Sequence, residues 1–245
     1  MKNIYLLAIM LWITCPAFSQ QNEQQIRVCE NIYLQRISEN AYIHVSVDDM
    51  AGFGQVSSNG MIFIHNGEAF LFDSPASEAS TRSLVTWLTD SMKLKIVGFV
   101  PNHWHGDCMA GLAYLHSQGI PSYANQMTID IARSHHLPEP QNGFTDSLNL
   151  KLGDRDIWLY YFGAAHSLDN IVVWLPSEKV LFPGCMIKAM SSGNLGNTVD
   201  GDVKAYPVTI SKVKSRFPGA VIVIPGHGNY GGTGLIEHTL ELSVR

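Results

Sequence analysis

Charge is scarce in this sequence. Of its 245 residues only 15% are charged, with 21 acidic against 16 basic side chains and a formal net charge of −5. An average soluble domain carries about 25%. A disordered chain would need more charge and a smaller apolar share than the 46% found here. The acidic balance leaves no basic patch for a nucleic acid or an anionic membrane surface. Gly-X-Y periodicity, sustained heptads, low-complexity linkers and fixed-period repeats are also lacking, which excludes rods and solenoids. The apolar run over residues 4–13 falls well short of the roughly 20 residues of a membrane span. It follows Lys2 and leads into Pro16-Ala17-Phe18-Ser19, the layout of a secretory signal. We therefore expect residues 1–19 to be a signal peptide lost on export to the periplasm, with no stable membrane insertion. Residues 20–245 would form a single domain of two halves, roughly 26–140 and 141–245.

Cysteine is scarce as well, with four in the chain. Loss of Cys15 with the signal leaves Cys29, Cys108 and Cys185, an odd number that cannot make a complete disulfide framework. A thiol that persists in an oxidising compartment is protected by burial or by a metal. Each cysteine's neighbours are therefore the next thing to read.

Short apolar runs broken by turn residues predict strands over 32–37, 41–47, 55–56, 61–65 and 69–72. The breaks at Glu39-Asn40, Asn59-Gly60 and Asn66-Gly67 are hairpin signals, so this part reads as an antiparallel meander. Leu84, Val85, Leu88 and Met92 share a face at helical spacing, predicting a helix over 77–92 capped by Ser74 or Ser77. A strand follows over 95–100. Further on, helices are expected over 109–117, 127–134, 203–217 and 235–242, the third with Pro207 in its first turn or at a kink. Strands are expected over 148–152, 157–162, 171–175, 179–182 and 221–224. Strands with helices interposed in both halves imply an α/β fold of packed sheets with helices outside.

Chemistry concentrates at one run, Asn102-His103-Trp104-His105-Gly106-Asp107-Cys108. Alternate residues of an extended or looped backbone project to one side, so His103, His105 and Asp107 can converge, and Gly106 allows a tight turn. Two imidazoles and a carboxylate are good zinc ligands. Three further places share one grammar, an apolar strand, a turn and one ligand-type residue: Phe162-Gly163-Ala164-Ala165 before His166, Pro183-Gly184 before Cys185, and Pro225-Gly226 before His227. Sheets of this class gather ligand sites at the carboxyl ends of their strands. Six ligands are too many for one tetrahedral zinc with an open position. They suit two zinc ions, one held by His103, His105 and His166 and the other by Asp107, Cys185 and His227, with a metal-activated water as nucleophile. His44, His65, His116, His135, His136 and His238 read as structural, and Cys108 with them.

These residues carry a resemblance. Pro101-Asn102-His103-Trp104-His105-Gly106-Asp107-Cys108, Asp169-Asn170-Ile171-Val172-Val173-Trp174-Leu175-Pro176, Gly184-Cys185-Met186-Ile187-Lys188 and Pro225-Gly226-His227-Gly228-Asn229-Tyr230-Gly231-Gly232 resemble the class B metallo-β-lactamases of subclass B1, and most of all their Bacteroides-type carbapenemase branch. The resemblance implies a four-layer αβ/βα sandwich of two mixed sheets with helices on the outer faces. It implies a di-zinc site at one edge and hydrolysis of the β-lactam amide by a monomer. It makes Asp107 and Asn197 the residues serving catalysis, Lys188 the partner of the substrate carboxylate, and Asn197 a ligand of the polarised carbonyl. Asp73 would support the metal ligands from behind, and Phe53 would tip a mobile flap over residues 48–54. The competing expectation is a thioesterase or lactonase of the same superfamily. Those typically place a His directly after the Asp and an Asp where Cys185 stands, so Cys108 and Cys185 count against it.

Overall fold

Apolar side chains recurring every second residue build the first sheet from β1 (Ile26–Arg27), β2 (Ile32–Arg36), β3 (Ala41–Met50), β4 (Gly54–His65), β5 (Glu68–Phe72) and β6 (Lys95–Val100), paired in sequence order. The structure, a computed structural model, describes residues 25–245; the expected signal segment, residues 1–19, lies outside the described residues. β1 to β5 run antiparallel, and β6 joins β5 in parallel because helix α1 (Glu78–Asp90), capped by Ser77, returns the chain across the sheet. Asn66 and Gly67 both take positive φ, as a two-residue hairpin turn requires.

Asn59-Gly60 does not turn. β4 runs straight through both residues, with Asn59 opposite Val45 and Gly60 opposite His44, so the strands expected over 55–56 and 61–65 are one. The reason lies beside the strand. A Cβ on Gly60 would fall 2.0 Å from His44 Nε2, so glycine makes room for the imidazole. The Asn59 amide reaches sideways to donate to Pro225 O at 2.9 Å and Gly228 O at 2.7 Å.

Helices α2 (Gly106–Met109) and α3 (Leu112–Ser117) replace the single helix expected over 109–117. Between them Gly111 N donates to Ser74 Oγ at 3.0 Å, a side-chain acceptor that interrupts the helical ladder. Short parallel strands β7 (Tyr123–Asn125) and β8 (Asn142–Phe144) flank helix α4 (Gln126–Ser134). The second sheet contains β9 (Ser147–Leu152), β10 (Arg155–Tyr160), β11 (Val172–Leu175), β12 (Val180–Gly184) and β13 (Ile222–Pro225) in the order β13-β12-β11-β10-β9. Helix α5 (Tyr206–Arg216), with Pro207 in its first turn, makes the crossover that lets β12 and β13 run parallel. Helix α6 (Gly234–Ser243) ends the fold.

Three apolar clusters order the layers. Phe63, Phe72, Phe182 and Ile224 belong to the core between the sheets. Leu34, Ile62, Leu84 and Leu112 join the first sheet to α1 and α3, and Leu181, Ile210, Val213 and Leu235 join the second to α5 and α6. This is the helix–sheet–sheet–helix sandwich expected from the resemblance.

His44 has a measurable consequence. Its Nε2 donates to Asp73 O at 3.0 Å, and burial pushes its pKa from 6.5 down to about 4. The folded state keeps the ring neutral while the unfolded chain protonates near 6.5. The stabilisation is therefore full above that pH and is lost as pH falls toward 4, a difference of about 3 kcal/mol. Denaturant unfolding of metal-free protein at pH 7.5 and 4.5 should give a smaller loss for His44→Gln than for wild type. Equal losses would mean that His44 titrates alike in both states.

Candidate metal centre and substrate cleft

Four connections, after β6, β10, β12 and β13, converge between the sheets. After β6, Asn102 N donates to the buried Asp73 carboxylate and Asn102 Nδ2 to Phe182 O at 3.3 Å, tying this loop to both sheets. His103 and His105 follow, and Asp107 lies in the first turn of α2. After β10, the Asn170 side chain accepts from Ser167 N at 3.0 Å and donates to Gly163 O at 2.9 Å, closing the turn that presents His166. Cys185 follows β12 directly. The turn after β13 reaches it because residue 226 lacks a side chain: a Cβ there would lie 2.3 Å from Cys185 Sγ.

The six side chains meet. His103 Nε2 lies 2.9 Å from His105 Nδ1, and the His166 ring stands edge-on to both, with centroids 4.8 and 5.2 Å away. Cys185 Sγ lies 3.5 Å from Asp107 Oδ2 and 3.4 Å from His227 Nε2, and His227 Nε2 lies 3.2 Å from Asp107 Oδ2. Asp107, Cys185 and His227 thus form one compact set of ligand atoms, and His103 and His166 form another that also takes in Cys185.

Outer partners fix which nitrogen three of the imidazoles offer. His227 Nδ1 donates to Ser57 O at 2.8 Å, leaving Nε2 toward Cys185. His105 Nε2 bonds Asp200 Oδ2 at 3.0 Å, leaving Nδ1 inward. His103 Nδ1 lies 3.2 Å from Cys108 Sγ, leaving Nε2.

Electrostatics agree with that arrangement. Burial, with the neighbouring His105, pushes His103 down to about 3, and burial holds His166 well below its ordinary value. Both stay neutral. Burial opposes ionisation of Asp107, but the hydrogen bond from His227 and the surrounding imidazoles override it and hold the carboxyl well below its usual range. The hydrogen bond from Cys108 brings the Cys185 thiol down to about 6 against the opposing effect of burial. The Cys185 charge in turn lifts His227 to about 11.

The neutral His103 and His166 imidazoles beside a carboxylate and a low-pKa thiol suit a divalent cation with a taste for nitrogen and sulfur, which would displace the proton of His227. The sharper test is His166, whose two ring nitrogens are both buried with no hydrogen-bond partner among the described residues. Buried polar atoms of that kind are rare and call for an ion or a water. The residues fit a metal.

A cleft of about 590 Å³ opens over this constellation, walled by Phe53, Val56 and Trp104 on one side and by Lys188, Asn197 and Val199 on another. Phe53, at the tip between β3 and β4, is 64% exposed. Lys188 Nζ donates to Cys185 O at 2.8 Å. Asn197 Oδ1 accepts from Val199 N at 3.2 Å, which leaves Nδ2 of that amide for a ligand. Asp73, 1% exposed, lies behind the metal ligands rather than in the cleft.

The family model described as the Metallo-beta-lactamase superfamily matches residues 53–227. The chain belongs to this superfamily. It is 47% identical over 242 residues to a protein named "Metallo-beta-lactamase type 2" from Bacteroides fragilis, covering 99% of this chain and 96% of that one. A second of that name, from Bacillus cereus, is 31% identical over 211 residues, covering 86% and 82%. Among solved structures, a metallo-beta-lactamase from Pontibacter korlensis superposes with a TM-score of 0.83 at 33% identity, covering 87% of this chain and 99% of the other. The Bacteroides-type class B resemblance read from the sequence stands.

As a metallo-beta-lactamase the chain is a metal-dependent hydrolase. Two neighbours of the candidate ligands carry little signal in the sequence. Asp200 lies in a run of turn residues, and nothing local marks it as the partner of His105. Cys108, taken as a structural thiol, lies with His103 and Asp107 in a third set of ligand-type atoms. Its adjacency to the His-x-His-x-Asp run was the available signal.

Proposed function

We propose that this metallo-beta-lactamase hydrolyses the amide bond of penicillins, cephalosporins and carbapenems and so confers resistance to them. One observation carries the reading: the buried Cys185 packs with Asp107 and His227, and those two line the same cleft as Lys188 and Asn197. His103, His105 and His166 would hold one zinc ion, and Asp107, Cys185 and His227 a second. Such a pair supplies a water acidified to a pKa of about 7 and an electrophile for the carbonyl.

The chain's own side chains do the remaining work. The Lys188 ammonium pairs with the carboxylate that these antibiotics carry, acting as a compact point charge. The Asn197 Nδ2 donates a hydrogen bond to the carbonyl oxygen as negative charge grows on it. Asp107, held ionised among imidazoles, serves catalysis as a ligand rather than as a carrier of protons. Phe53 closes over the bound antibiotic and excludes water.

Assaying a penicillin, a carbapenem and a glutathione thioester side by side tests the reading. Turnover of the first two should vanish with a chelator and return with zinc, and the thioester should be inert. Thioester turnover without β-lactam turnover would overturn it in favour of a thioesterase.

The same proposal has residues 1–19 direct export and leave residues 20–245 as a monomer in the periplasm. Among the described residues no helix is long and apolar enough to cross a membrane. N-terminal sequencing and gel filtration of the exported protein check both points.

A further inference from the structure

The loop that carries Lys188 and Asn197 is held from below by two helices. Tyr206, from α5, donates its hydroxyl to Met186 O at 2.8 Å. From α6, Thr239 Oγ1 accepts from Lys188 N at 2.8 Å, and His238 Nε2 donates to Ser192 O at 2.9 Å. The Thr239 hydroxyl spends its own hydrogen on Leu235 O at 2.7 Å, so its lone pair faces Lys188 without competition. Thr239 is fully buried, with Leu235, Ile236 and Leu242 anchoring the same helix in the core. Lys214 Nζ to Glu237 Oε1, at 3.2 Å, fastens α6 to α5. The base of the loop is therefore rigid.

Beyond Ser192 Leu195 still packs against the core shared with α5 and α6, but the hydrogen bonds become local. Asn194 Oδ1 accepts from Gly196 N and Asn197 Oδ1 from Val199 N, bonds that stay inside the loop. The next hydrogen bond to the rest of the fold is at Asp200, whose backbone oxygen accepts from Leu168 N at 3.0 Å. His238 thus sets the near end of the span that presents Asn197. A cavity of about 210 Å³ lies between Lys188, Ser192, Gly196 and His227, leaving the loop room to shift if that end is released.

We infer that Thr239 and His238 are positioning residues for the substrate, fixing the backbone of Lys188 and Ser192 and through it the ammonium and amide that meet the antibiotic. The inference rests on the reading of Lys188 as the carboxylate's partner. Neither residue reaches the cleft itself. Their effect comes from geometry alone: a displacement of the Lys188 Cα carries the ammonium with it, and small misplacements of a binding group are costly.

The test uses the zinc-loaded enzyme with a chromogenic cephalosporin and its carboxylate methyl ester. On the acid, Thr239→Val should raise KM about 10-fold with kcat within about twofold, leave the ester unaffected, and revert with Thr239→Ser. His238→Ala, acting through Asn197 and the carbonyl that both compounds carry, should lower kcat about 10-fold on acid and ester alike, with His238→Gln, which keeps a donor, restoring wild-type behaviour. In a Lys188→Ala background Thr239→Val should add nothing, and zinc content should stay equal throughout. If Lys188→Ala does not separate acid from ester, the lysine reading fails and the inference with it. If it does and Thr239→Val does not, or if His238→Ala leaves both rates unchanged, only the inference fails. Zinc loss with an equal fall in kcat on both compounds would make Thr239 a support of the metal, and would equally overturn it.

Discussion

If the proposed two-zinc centre is right, a Cys185→Ser enzyme is expected to bind one equivalent of zinc fewer than the wild type, and to lose more than about 100-fold in kcat/KM for every β-lactam. Losing an outer partner of a metal ligand typically costs about 10- to 100-fold, and losing a direct thiolate ligand costs more. The hydrogen bond from Cys108 keeps the Cys185 thiol near 6, so at neutral pH the sulfur is an anion. A serine hydroxyl there stays protonated and is a poor ligand. Asp107 and His227 would be left as a pair, too few for a tetrahedral ion. Metal analysis, steady-state kinetics and recovery of activity under added zinc measure the effect together. Wild-type zinc content and rate in the variant would remove Cys185 from the centre.

Asp200→Asn should act on the other half of the site. His105 Nε2 bonds Asp200 Oδ2 at 3.0 Å, which fixes the tautomer that turns Nδ1 inward. An amide preserves the shape and can still accept, but it gives up the negative charge that makes the imidazole a better ligand. Competition against a chromophoric chelator should show the affinity of the three-histidine site falling about 10- to 100-fold, with the Cys185 site little changed. Cys185→Ser should give the converse pattern. An unchanged affinity of the three-histidine site in Asp200→Asn would show that the carboxylate is only a surface neighbour of His105.

The two substitutions also mark where sequence was informative. Cys185, His166 and His227 could be found because each follows its own strand and turn, and His103, His105 and Asp107 because their spacing is local. Asp200 could not, because its importance lies in an imidazole far away along the chain. Asn59-Gly60 shows the same limit from the other side. Read locally it is a hairpin, yet the glycine answers His44 on the next strand and the asparagine answers the turn that carries His227. The helix expected over 109–117 broke for a similar reason, a serine hydroxyl from residue 74 taking the backbone N–H of Gly111. Periodicity found the layers because burial repeats along one segment, and it missed β1, β7 and β8 because two or three residues contain too little repetition to notice.

The proposed ligands come from both sheets: His103, His105 and Asp107 from the end of β6, the other three from loops of the second sheet. On that assignment neither half of the chain could assemble the centre alone, so metal would be bound only once the two layers have docked, and it would favour that docked state by mass action. Zinc at 100 times its dissociation constant adds about 2.7 kcal/mol to the native state. Where proteolysis follows the population of opened chains, that lowers the exposed fraction about 100-fold. Zinc supply would therefore govern how long the enzyme survives among proteases as well as how fast it works.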